Sequence, residues 1–187
     1  MSNSRYASYI IITAALCSLI LTGLTSAYAQ NDKFRAKLDG NNEIPPAETP
    51  AEGTINFKTN SEGVFSWKMN ITGITDATGA HIHQGTPTEN GDVVVDLLKI
   101  SKHKQTPTGM IMRGNVTDSD LQGPMQGKTL EDLKTAMSSG NTYVNAHTAD
   151  NPDGTIRGQI KMKGTDESPA STPAVPATTE ADATGAE

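Results

Sequence analysis

Phe65-Ser66-Trp67-Lys68-Met69-Asn70-Ile71 alternates apolar and polar side chains at every step. Successive side chains of an extended chain leave on opposite faces, so Phe65, Trp67, Met69 and Ile71 share one face and Ser66, Lys68 and Asn70 the other. A period of two marks a half-buried strand rather than an amphipathic helix. Residues 53–58 carry the same signal, with Ile55 and Phe57 facing together, and Asn60-Ser61-Glu62-Gly63 between the two segments is turn chemistry. The pair is expected to form an antiparallel hairpin. Aromatic residues are only 4% of the chain, so Trp67, Phe57 and Phe65 are expected to supply much of the core's bulk.

Outward from this hairpin the alternation recurs. Phe34, Ala36 and Leu38 alternate with Arg35 and Lys37 ahead of the turn Asp39-Gly40-Asn41-Asn42, and Pro45-Pro46 closes the next loop to regular structure. Residues 73–79 read as loop, 80–84 as strand and 85–91 as a polar break. A more continuously apolar strand over 93–98, a charged exposed loop over 99–107 and a strand over 110–116 follow. One helix is predicted over 129–138. Thr129 is its N-cap with Asp132 three residues on, Leu130, Leu133, Ala136 and Met137 form its apolar stripe, and Gly140 ends it. Residues 143–147 and 155–162 supply two last strands, joined by Asp150-Asn151-Pro152-Asp153-Gly154; in the second, Ile156, Ile160 and Met162 share a face. About eight short strands and one helix predict an all-β fold, an antiparallel β-sandwich of Ig-like or Greek-key type.

The two ends differ in composition from the middle. Residues 1–29 combine Arg5, an apolar run over 9–24 and Ala27-Tyr28-Ala29 ahead of Gln30, the pattern of a secretory signal peptide. An uncleaved N-terminal membrane anchor is the alternative. The single cysteine, Cys17, lies inside this segment behind Leu16, which is too large for a lipoprotein site, so a cleaved chain has no cysteine at all. Residues 165–187 are rich in Pro, Ala, Thr and Glu with five acidic residues and no basic one, a composition expected to stay disordered. Between them, residues 30–164 make one domain of ordinary size with 14 Lys and Arg against 16 Asp and Glu. No basic cluster along the sequence points to nucleic acid. The expected setting is extracellular or at the cell surface, with a protein or surface partner, and with a membrane only if the N-terminal segment is retained.

Ala80-His81-Ile82-His83-Gln84-Gly85 and Tyr143-Val144-Asn145-Ala146-His147-Thr148 share one design. Ala80 and Ile82, like Val144 and Ala146, are set to face a core, which turns His81, His83 and His147 to polar faces. Three imidazole nitrogens with an open position suit copper or zinc. The alternative is that the rings hydrogen-bond to loop backbone and pin the turns near Gly85 and Asn151. Tyr143 and Asn145 read either as hydrogen-bonding supports of the site or as exposed strand residues. Arg157 reads as an anion contact or as the partner of Asp153 or Glu43 in an ion pair. Asp76, Glu89, Asp92 and Asp96 could add oxygen ligands or could simply be turn residues. The fourth histidine, His103, sits between Lys102 and Lys104 and reads as solvated. The mature chain carries no nucleophile elbow, no phosphate-cradling glycine loop, no His-Glu-x-x-His and no cysteine nucleophile, so no catalytic residue is nominated. Asn70-Ile71-Thr72 and Asn115-Val116-Thr117 fit the N-glycosylation pattern.

Taken in order, Leu38-Asp39-Gly40 with Glu43-Ile44-Pro45-Pro46, then the His81 and His147 stretches, then Asn151-Pro152-Asp153-Gly154-Thr155-Ile156-Arg157-Gly158-Gln159-Ile160 resemble the CHRD domain, the module repeated in chordin and found singly in exported microbial proteins. The resemblance spans roughly residues 33–163 and implies an extracellular β-sandwich without a settled biochemical activity. Thr155 departs from the pattern, which usually has Glu there. A weaker similarity links the His-x-His strand to Cu/Zn superoxide dismutases. It implies His81 and His83 as paired copper ligands, His147 as a later one and Arg157 as an anion-guiding arginine. The bridging histidine, the zinc set and the disulfide of that family have no counterpart here.

Overall fold

The computed structural model describes residues 32–60 and 64–164. The expectations for the segment 1–29 and the tail 165–187 therefore lie outside the described residues, as do three residues of the turn at 60–63. The described strands are β1 (Lys33–Asp39), β2 (Glu52–Thr59), β3 (Phe65–Thr72), β4 (Gly79–Gln84), β5 (Val93–Asp96), β6 (Lys102–Thr106), β7 (Gly109–Val116), β8 (Thr142–His147), β9 (Ile156–Gln159) and β10 (Lys161–Met162), with one α-helix, α1 (Leu130–Ser138). The all-β expectation holds. Backbone hydrogen bonds join the strands in one curled, half-barrel sheet, in the order β5-β4-β8-β9-β1-β2-β3-β7-β6, with β10 also on β1.

The predicted hairpin forms in unbroken register from Glu52 opposite Thr72 to Thr59 opposite Phe65. Phe57 and Phe65 are fully buried and Trp67 is 3% exposed. The Phe57 and Phe65 rings stack with centroids 5.5 Å apart, and Phe34 of β1 joins them at 6.4 Å from Phe65. Burying each of these aromatic side chains contributes roughly 2 kcal/mol relative to exposure. Helix α1 opens with the expected box: the Thr129 hydroxyl accepts from the Asp132 N–H while the Asp132 carboxylate accepts from the Thr129 N–H. Its Leu133 and Met137 are buried in the same core.

Three details depart from the sequence expectations. Residues 99–107 are not simply loop, because Lys102–Thr106 forms β6, an edge strand paired with β7. It carries no apolar alternation because both its faces meet water, and its lysines blunt an edge that would otherwise invite pairing. The apolar run at 93–98 leaves the sheet after Asp96, yet Leu97 stays fully buried in the turn that follows. The last predicted strand divides at Ile160, whose N–H turns to the Thr142 carbonyl. Its first part lies along β8 and its second along β1, leaving Met162 36% exposed rather than in the core.

Candidate metal centre

Strand register brings the histidines together. In the β4–β8 ladder Gly79 lies opposite His147, His81 opposite Asn145 and His83 opposite Tyr143. Ala80, Ile82, Val144 and Ala146 are fully buried on the core face, so the imidazoles must leave on the other. β4 shifts its register against β5 between Ile82 and His83, a bulge beside the His83 ring. One nitrogen from each of His81, His83 and His147 lies within 4.8 Å of the others, and among the described residues this trio is the one such group of potential metal ligands. None of the acidic residues that could add oxygen ligands belongs to this group; Asp96 places Oδ1 4.0 Å from His81 Nε2. Glu89 instead accepts from the Thr86 N–H.

The partners of each ring set its tautomer. His83 Nδ1 lies 2.8 Å from the Gly91 carbonyl and His147 Nδ1 2.9 Å from the Pro152 carbonyl. A carbonyl only accepts, so both Nδ1 atoms carry the proton and both Nε2 atoms present lone pairs. His83 Nε2 is buried with no hydrogen-bond partner. His147 Nε2 faces His81 Nδ1 at 3.0 Å and Asn145 Oδ1 at 3.0 Å. Backbone carbonyls holding the remote nitrogens while the near ones converge is the arrangement by which proteins orient imidazole ligands. His83 and His147 thus pin the loops at Gly91 and Pro152 through Nδ1 and turn Nε2 inward, whereas His81 turns Nδ1 to His147.

The electrostatics keep these rings neutral. Burial lowers all three imidazoles, His81 to about 4. His147 beside His81 lowers it further, while Asp96 works the other way. For His83 the Gly91 carbonyl and Asn145 oppose the shift without reversing it. A neutral imidazole is the form that binds a metal.

The match to the CHRD domain family model runs over residues 34–160, from the first core residue of β1 to Ile160. The chain belongs to the CHRD-domain family. Neither curated proteins nor solved structures give a match.

The CHRD domain surrounds its histidines with a second polar layer. Tyr143 lies parallel to His83, ring centroids 4.8 Å apart, and the Arg157 guanidinium caps its other face at 3.4 Å. Arg157 is 1% exposed. It donates to Asn90 Oδ1 and to the carbonyls of Thr86 and Glu89, and no ion pair with Asp153 or Glu43 forms among the described residues. The Tyr143 hydroxyl accepts from the Gly91 N–H, the same residue whose carbonyl holds His83. Residues 85–91 are thereby tied down as a cover over the His83 side of the site. Asn145, 3% exposed, is buried beside His147 rather than an exposed strand residue.

Sequence reasoning missed Gly79 and Asn90, and read Glu43 only as one alternative partner of Arg157. A side chain at Gly79 would lie 2.8 Å from His81 Cε1 and 3.2 Å from His147 Cδ2, so only hydrogen there lets the two rings close. Asn90 holds Arg157 and also donates to the Ile44 carbonyl, joining the cover to the loop after β1. Glu43 is 5% exposed and packs directly over Gly154. Burial raises its carboxyl to about 7 against the opposing pull of Arg157. The doublets Asn90-Gly91 and Asp153-Gly154 were legible as turns, but nothing in a turn's local chemistry says which distant side chain will sit on it.

Proposed function

We propose that this protein is an exported CHRD-domain binding module whose His81, His83 and His147 hold one copper or zinc ion. The observation that carries the reading is His83 Nε2, a buried lone pair without a partner, aimed where His147 Nε2 also presents one. A cation satisfies both acceptors at once. His81 contributes by shifting its proton from Nδ1 to Nε2, toward Asp96 Oδ1 4.0 Å away, which frees Nδ1. When bound, the ion would knit β4 to β8 and leave a coordination position on the half-exposed side of His81 and His147 for a partner's donor or for water. Three nitrogen donors fit copper or zinc better than magnesium or calcium, which prefer oxygen. The dismutase-like alternative lacks its guiding charge, because the Arg157 guanidinium is buried against Tyr143 and occupied by residues 86–90.

The test is calorimetric titration of metal-free, tag-free protein with Zn²⁺ and Cu²⁺. One equivalent should bind, and His83→Ala should weaken it on the order of 100-fold. Binding that is absent, or unchanged in H83A, would overturn the site.

A further inference from the structure

The outward face of the other arm of the sheet is a continuous band of positive charge. Cross-strand register places Lys102 opposite Arg113, Arg113 opposite Lys68, Lys68 opposite Asn56, Asn56 opposite Arg35 and Arg35 opposite Lys161. Five of the six positions in this row are cationic, and strands about 4.8 Å apart make it roughly 24 Å long. Lys37 and Lys104 flank it one pleat to one side, Lys33 and Lys58 one pleat to the other. The acidic residues that share this face, Asp39 and Glu52, are opposite each other in a single terminal row. Among the described residues none of Arg35, Lys68, Lys102 and Arg113 forms an ion pair.

This concentration stands in a chain of net charge −6. Like charges directly opposite one another across strands destabilise a sheet. Edge protection explains lysines on β6, but Arg113, Lys68 and Arg35 are on interior strands where no edge needs blunting. The cations are also interleaved with neutral hydrogen-bonding groups: Asn56, Ser66 and Asn70 lie between them on β2 and β3. At the Arg35 end the face opens into a cleft of about 690 Å³ lined by Arg35, Lys37, Asn42, Glu43, Gln159 and Lys161 among others. Three buried polar atoms without partners belong to that lining, Arg35 Nε, Gln159 Oε1 and Glu43 Oε1. They are one donor and two acceptors left without protein partners in the cleft wall, and Glu43 itself is 5% exposed.

We propose that this face binds a carboxylated polysaccharide of the uronate type. Carboxylates spaced by hydroxyls match cations spaced by amides, and the unpartnered acceptors in the cleft suit sugar hydroxyls. A lipid headgroup plane would supply phosphates but no hydroxylated chain to enter the cleft, and the export expected from residues 1–29 favours surface polymers over nucleic acid. The proposal does not depend on the metal site.

The experiment is binding of polygalacturonate oligomers to the full chain at low and high salt, by calorimetry. Affinity should fall with rising salt, and Lys68→Gln with Arg113→Gln should weaken it about tenfold or more. Lys99→Gln with Lys128→Gln, off the face, should leave it unchanged. Thermal melting of the double variant on the face should match or exceed wild type, since removing opposed charges relieves repulsion, so weakened binding cannot be ascribed to misfolding. Absence of binding, or equal losses in both double variants, overturns the proposal. Single-stranded DNA or phosphatidylserine vesicles binding more tightly than the oligomer would overturn the polysaccharide assignment.

Discussion

On the arm β5-β4-β8-β9 the side chains that leave the core face are three imidazoles, a phenol, two amides, the Arg157 guanidinium and the Asp96 carboxylate, and residues 85–91 and 148–154 close over most of them. On the arm β1-β2-β3-β7-β6 they are mostly lysines and arginines that face open solvent. Both arms are built by the same alternation over one shared core. What separates them is cover. Where loops exclude water, ionisable groups are pushed toward neutrality, the histidines downward and Glu43 upward. Where no loop reaches, the charges stay charged, and the sheet offers a surface instead of a site.

The two arms should respond most differently to loss of the residue that fastens the cover. Arg157→Leu leaves two carbonyls and the Asn90 amide without their donor and exposes one face of Tyr143. Urea denaturation should show a loss of about 3 kcal/mol or more, with early proteolytic cleavage within residues 85–91. A loss under about 0.5 kcal/mol, the ordinary result for an exposed cation such as Arg113, would mean the two arms do not differ as described.

A pH series separates the two kinds of buried group. The histidines titrate below their ordinary 6.5 in the fold, His81 at about 4. Their contribution in metal-free protein is therefore present above pH 6.5 and is lost as pH falls toward 4. Glu43 runs in the opposite direction: raised from 4.5 to about 7, its contribution is present below pH 4.5 and is lost as pH rises through 7. Glu43→Gln removes only the second slope. The stability of E43Q relative to wild type should climb steadily from pH 4.5 to 7 in urea titrations, and a constant difference would show that Glu43 is not held neutral.

A smaller effect is expected at Gly79. Gly79→Ala drives a methyl group against the His81 and His147 rings. It should cost about 1 kcal/mol and reduce zinc affinity about tenfold. Unchanged zinc affinity would show that close approach of these two rings is not needed for binding. Smallest of all, Lys68→Gln on the open arm should raise stability by a few tenths of a kcal/mol at low salt, with the gain vanishing at high salt.

Much of this is legible in the sequence. The faultless period of two at 65–71 named the hairpin, Thr129 with Asp132 named the helix start, and the flanking Ala80, Ile82, Val144 and Ala146 turned three histidines outward. Each depends on neighbours within a few residues. The edge strand β6 was not readable, since a strand wet on both faces leaves no hydrophobic pattern. Arg157 left its two readings open for a similar reason: its partners are the carbonyls of Thr86 and Glu89, and a backbone carbonyl has no residue type to recognise.

Alternation alone, then, determined which side chains turn to the core and which turn away, because side-chain direction along a strand follows from backbone geometry. Register and loop cover decided everything about the outward groups. Pairing β4 with β8 made a trio of histidines separated by up to 66 positions, and pairing β10 through β6 gathered into one band lysines and arginines that along the chain are scattered among acids. Near-neutral composition over residues 30–164 concealed that band, because composition averages over faces that only hydrogen-bonded neighbours across the sheet can separate.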